Sequence, residues 1–95
     1  FTEAYINMGI TMHALKRLDE AKKCFKRAIS INPNYPDHYN NLGNIYRDLG
    51  KFEEAKSYYI KALEVKPNFS QSYNNLGFIY FCHSKYQEAE TNYKS

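Results

Sequence analysis

The chain has 95 residues, 43% of them hydrophobic, and a net charge of +3. That length bounds it to one small unit with little room for a globular core, and no apolar stretch reaches the ~20 residues that a membrane span needs. Two cysteines, Cys24 and Cys82, are too few for a disulfide framework and read as reduced thiols of a cytoplasmic or nuclear protein.

Along the chain, apolar residues first recur at helical steps from Thr2, and a second helical stretch ends near Ile31, with a turn expected at Lys16-Arg17. The charge excess is confined to this part, where Lys16, Arg17, Lys22, Lys23, Lys26 and Arg27 face only Glu3, Asp19 and Glu20. So modest a surplus argues against nucleic acid as the partner, and a solvated outer face is the plainer reading. Pro36 suits the first turn of the next helix, where its missing N–H is not needed. Tyr39, Leu42, Tyr46 and Leu49 then form one apolar stripe at three- and four-residue steps, and Gly50 breaks it. A helix from about Phe52 to Val65 turns Phe52, Ala55, Tyr59, Ala62 and Leu63 inward, and Pro67 closes it. From Ser70 the pattern begins again, with a turn expected at Ser84-Lys85.

These elements are copies of one another. Gly9, Gly43 and Gly77 are each 34 residues from the next, and the same interval holds Tyr5, Tyr39 and Tyr73, then Asn7, Asn41 and Asn75, then Ala21, Ala55 and Ala89. Phe25, Tyr59 and Tyr93 keep it too, as do Ala28 with Ala62 and Pro33 with Pro67. Pro36–Lys61 and Ser70–Ser95 share eleven identities in 26 positions. A period of ~34 residues with this content marks tandem helix–turn–helix units that bury their apolar faces against each other. The expected fold is all-α, an α-solenoid of repeats 2–35, 36–69 and 70–95, the last truncated, with Phe1 as the remnant of a preceding repeat. Exposed apolar ends make self-association an expected consequence. The small residues Gly43 and Ala55 are expected where the two helices of a repeat approach most closely.

The repeated pattern Tyr-x-x-Leu-Gly-x-x-Tyr, followed by Ala, an aromatic, Ala and Pro, resembles the tetratricopeptide repeat and covers essentially the whole chain. The first repeat departs most, with Met8, Met12 and Lys16 where the second has Leu42, Tyr46 and Gly50. The resemblance implies a right-handed superhelix whose first helices line a concave groove that takes protein segments.

Chemistry within these residues is not expected. His13, His38 and His83 fall at unlike places in their repeats, Cys82 and His83 point ~100° apart on a helix, and no glycine-rich phosphate loop occurs. No catalytic group, metal, cofactor or small-molecule substrate is therefore assigned. The candidate binding residues are asparagines. Asn7, Asn41 and Asn75, stacked at the repeat interval, would form a column of amides able to pair with the backbone of an extended peptide. Asn40, Asn44 and Asn74 add amides beside them, while Ile6, Ile10, Phe78 and Phe81 supply apolar patches at either end. The same amides could instead bridge neighbouring helices.

Two family comparisons bear on the ligand. In relatives that clamp the acidic tails of heat-shock chaperones, the clamp positions correspond to Ile6, Ile10, Asn41, Gln71 and Asn75; only Asn41 fits, and no cation is present. The asparagine column and the segment Leu42–Tyr80, above all KPNFSQSYNNLGFIY, are similar to the repeat arm of nucleocytoplasmic O-linked N-acetylglucosamine transferases and SPINDLY-like proteins. That likeness implies a non-catalytic, substrate-recruiting arm with Asn7, Asn41 and Asn75 as ladder residues. A scaffold with no enzyme attached is the alternative.

Overall fold

The computed structural model describes the backbone of residues 2–94 and the side chains of that range other than 86 and 88–94. Phe1 and the side chains of Ala89 and Tyr93 lie outside the described residues. Among those described the fold is all-α: α1 (Thr2–Ala14), α2 (Leu18–Ile31), α3 (Pro36–Asp48), α4 (Phe52–Val65) and α5 (Ser70–Lys94). Consecutive helices pack side by side, and the molecule is an elongated slab of 51 × 30 × 17 Å.

Each of the first two helix pairs is closed by the same turn. Lys16 and Gly50 take left-handed backbone angles, φ 64° and 76°. The N–H of the following residue reaches back to the first helix, Arg17 to Met12 and Lys51 to Tyr46, both at 2.9 Å. The N–H of the left-handed residue itself bonds His13 in one case and Arg47 in the other. This is the Schellman closure, which satisfies carbonyls that a helix end leaves orphaned. Gly50 enters it freely, whereas Lys16 carries a penalty of roughly 1–2 kcal/mol.

In the third repeat the expected turn at Ser84-Lys85 does not form, and α5 runs through it as one 25-residue helix. Ser84 stands where Gly50 supplies the left-handed residue, so straight continuation avoids the left-handed penalty and keeps every backbone amide in the helical ladder.

The core forms where α3 is covered from several sides. Leu42, Ile45 and Tyr46 of α3 are buried with Ala21 and Phe25 of α2, Ala55 and Tyr59 of α4, and Ile79 of α5. By contrast Gly9 is the one buried residue of α1. Close approach is achieved differently from the expectation. The atoms over Gly43 belong to the Tyr59 ring, and those over Gly9 to the Phe25 ring: an added Cβ would meet them at 2.6 and 2.8 Å. Ala55 is fully buried nearby in the same cluster. Gly77, on the uninterrupted α5, has nothing within 4 Å among the described residues.

One buried polar group stands apart. His38 is fully buried on α3 beside the Tyr35 ring, 4.9 Å between centroids, and neither ring nitrogen has a hydrogen-bond partner among the described residues. Burial holds its imidazole below the ordinary histidine range, opposed in part by the Asp37 carboxylate.

Two predictions follow from this packing. Gly43→Ala forces its methyl group into a buried aromatic ring and lowers stability by ~1–3 kcal/mol. Gly77→Ala meets open space and, by helix propensity, raises stability by up to ~1 kcal/mol. Thermal melts of the two variants should therefore shift in opposite directions. The second concerns pH. The folded state binds fewer protons at His38 than the unfolded chain does, so its contribution is complete above the ordinary histidine value of ~6.5 and is lost as pH falls from there through the folded value. The melting temperature should decline from pH 7.5 to 5.5, and His38→Ser should flatten part of that slope; identical slopes would refute the assignment.

Candidate functional site

The first helix of each repeat contributes to one face. His13 of α1 donates from Nε2 to Oδ2 of Asp48 on α3 at 2.7 Å. The neighbouring Arg47 lies over the Phe78 ring of α5, 5.8 Å from its centroid, and also pairs with Asp48 at 3.6 Å. These contacts align α1, α3 and α5. Ile10, one turn before His13, is exposed, as are Phe78 and Phe81 at the other edge. Of the apolar residues expected at the two ends, Ile10, Phe78 and Phe81 are therefore surface while Ile6 is half-buried, with polar groups between them.

The six candidate asparagines do not form one uniform column. Asn40 is 4% exposed, and its Oδ1 accepts hydrogen bonds from Ser72 Oγ at 2.8 Å and Asn75 Nδ2 at 3.0 Å. Asn75 Nδ2 also reaches Asn44 Oδ1 at 3.4 Å, and that oxygen accepts from the Tyr59 hydroxyl at 2.6 Å. Asn40, Asn44 and Asn75 thus bridge α3, α4 and α5. Burial pushes the Tyr59 hydroxyl up to about 12 against the opposing Arg47 charge, which keeps it a donor to Asn44. The remaining three are free of side-chain bonds among the described residues: Asn7 and Asn74 are exposed and Asn41 is half-buried. Asn7 stands with Thr2, Glu3, Ile6, Asn32 and Tyr35 around a shallow pocket between α1 and the α2–α3 connection.

Sequence reading passed over Ser72, the His13–Asp48 pair and the Tyr59–Asn44 bond. Tyr59 in place of Phe25 at the repeat position was the available signal for the last of these, since a buried hydroxyl requires a partner. On the outer side of α2, Asp19 and Glu20 offset Lys22 and Arg17 at 3.6 and 3.7 Å, while Lys23, Lys26 and Arg27 are exposed. Among the described residues no three metal-ligating side chains converge, and no helix is long and apolar enough to cross a membrane.

The asparagines should accordingly separate by variant. Asn40→Ala leaves the Ser72 hydroxyl and the Asn75 amide without their shared acceptor and should cost ~1–3 kcal/mol. Asn7→Ala and Asn74→Ala should leave the denaturation midpoint within ~0.5 kcal/mol of the parent chain.

A profile of the tetratricopeptide repeat matches residues 2–68 and 35–95. Comparison with curated protein sequences yields no match. Among solved structures, the first TPR domain of Spaghetti (RPAP3), bound to the HSP90 peptide SRMEEVD, superposes with a TM-score of 0.85. It is 24% identical over 98% of this chain and 76% of its own. MamA superposes at 0.82 with 30% identity, over 98% of this chain and 54% of its own length. The 34-residue period, the ring-on-glycine packing of the first two helix pairs and these matches agree: the chain belongs to the tetratricopeptide repeat family.

Proposed function

We propose that the chain is a non-catalytic protein-interaction module whose α1–α3–α5 face binds an extended polypeptide segment. The observation that carries the reading is the set of unengaged amides, Asn7, Asn41 and Asn74, on those first helices, with Ile10 at one edge and Phe78 and Phe81 at the other. Amides without internal partners offer donors and acceptors to a peptide backbone whatever its side chains. RPAP3, of like fold, is bound to a peptide in its structure. An acidic chaperone tail is not the ligand proposed here, because none of Ile6, Ile10, Asn41, Gln71 and Asn75 at the clamp positions supplies a cation to meet its carboxylates.

The finer reading is the client-recruiting arm of an O-linked N-acetylglucosamine transferase-like protein, acting in the cytoplasm or nucleus. It is supported by Asn7, Asn41 and Asn75 at one interval and by the segment Leu42–Tyr80. A general scaffold is the second reading, favoured by the commitment of Asn75 to Asn40 and Asn44. Either way binding by three repeats is weak, since each backbone hydrogen bond nets ~1 kcal/mol, and strength accrues through many repeats acting together.

The test is a peptide array probed with the chain and with an Asn7→Ala, Asn41→Ala, Asn74→Ala variant of matched melting temperature. Capture of many unrelated sequences, reduced at least tenfold in the variant, supports backbone reading and the recruiting arm. A few strong sequences lost in the variant support the scaffold. Equal capture by both proteins removes the amides from the binding face.

A further inference from the structure

The repeat interval sorts the cations of α2 into two kinds. Lys22 lies over the Tyr46 ring at 5.4 Å, and Lys56, one interval on, lies over Tyr80 at 5.0 Å. Each also pairs with the acid three residues before it, Asp19 at 3.6 Å and Glu53 at 2.9 Å. Arg27 lies over Tyr5 and Lys61 over Tyr39, both at 6.0 Å. These four cations recur in place and in contact, so they belong to the repeat. Lys23 and Lys26 do not recur. One interval on stand Ser57 and Ile60, both exposed, so the fold accepts a neutral side chain at both positions.

The two added charges are not met within the described chain. Asp19 and Glu20 turn to Lys22 and Arg17 at 3.6 and 3.7 Å, and neither Lys23 nor Lys26 has an ion pair among the described residues. Burial raises the Tyr58 hydroxyl, and the nearby Lys26 charge opposes it, so that neighbour stays neutral and offers no counter-charge. Lys23 and Lys26 also create like-charge pairs at helical spacing: Lys22 with Lys26, Lys23 with Lys26, and Lys23 with Arg27. Side chains so placed have Cβ atoms ~5–6 Å apart, inside the Debye length of ~8 Å at physiological salt. Their repulsion therefore opposes α2. In α4 each corresponding pair lacks one or both charges.

We infer that the outer face of α2 is a second interaction surface, on which Lys22, Lys23, Lys26 and Arg27 hold an acidic polypeptide segment in extended conformation. Lys22 with Lys26 and Lys23 with Arg27 form two rows, each spaced ~6 Å along the helix axis. An extended segment sets every second side chain on one face, ~6.6 Å apart, so carboxylates at alternate positions match a row. A net charge of +3 suits a segment with a few carboxylates better than the continuous phosphates of nucleic acid. This face belongs to a second helix and uses none of the asparagines of the α1–α3–α5 face. Exposed ion pairs are individually weak, so a Kd of ~0.1–1 mM is expected, with several carboxylates acting together.

The test is fluorescence anisotropy of a labelled decapeptide that alternates glutamate with serine, titrated with the whole chain beside its glutamine counterpart. Only the acidic peptide should bind, and its affinity should fall at least fivefold from about 50 to about 300 mM salt. A Lys23→Ser, Lys26→Gln variant should bind at least fivefold more weakly with a melting temperature equal to or above that of the parent. A Lys51→Gln, Lys66→Gln variant removes the same charge elsewhere and should bind within twofold of the parent, as should the Asn7→Ala, Asn41→Ala, Asn74→Ala variant. Four outcomes overturn the proposal. They are no binding of the acidic peptide, equal loss in the two lysine variants, a lower melting temperature on removing Lys23 and Lys26, or tighter binding of a decameric oligouridylate through the same lysines.

Discussion

The contact on which the rest of this structure depends is an aromatic ring seated on a helix glycine. Phe25 rests on Gly9 and Tyr59 on Gly43, too closely for a Cβ to intervene without movement. The ring fixes how near the two helices of a repeat lie, and at that spacing Ala21, Ala28, Ala55 and Ala62 are fully buried. A glycine within a helix loses roughly 1 kcal/mol relative to alanine; burying a whole aromatic side chain more than offsets it. At Gly77 no described residue lies within 4 Å, and Tyr73 and Tyr80 on the same side of α5 are exposed.

Most of the fold was legible because the period multiplies a weak signal. A single Tyr-x-x-Leu-Gly could belong to many helices, but recurrence at 34 residues ties Gly9, Gly43 and Gly77 to equivalent places. The turn at Lys16-Arg17 and the break at Gly50 were readable for the same reason, and both adopt the left-handed closure. The period misled at Ser84-Lys85. Repetition assumes that each copy has the same local chemistry, and Ser84 lacks the conformational freedom of Gly50. Lys16 overcomes that handicap through the burial of Ala21, Phe25 and Ala28, a compensation set by tertiary packing and invisible in the local sequence.

The candidate site was legible only in part, and the reason is chemical. An asparagine amide serves a peptide backbone and a neighbouring helix equally well, so spacing alone does not distinguish the two uses. The structure divides them. Asn40, Asn44 and Asn75 join Ser72 and the Tyr59 hydroxyl in a bridge between repeats. Asn7, Asn41 and Asn74 carry no such bond among the described residues. The bridge also links the face to the core, because the ring that covers Gly43 donates to the amide of Asn44. Seating of the aromatic ring and ordering of the α1–α3–α5 face are thus parts of one packing arrangement.

The most direct test of that arrangement is native-state hydrogen exchange read residue by residue. If ring-on-glycine packing organises the array, protection should peak at Leu42–Tyr46 of α3 and Ala55–Ala62 of α4, and decline toward α1 and toward α5 beyond Ile79. Equal protection across all five helices, or a maximum in α1 or α5, would contradict the account.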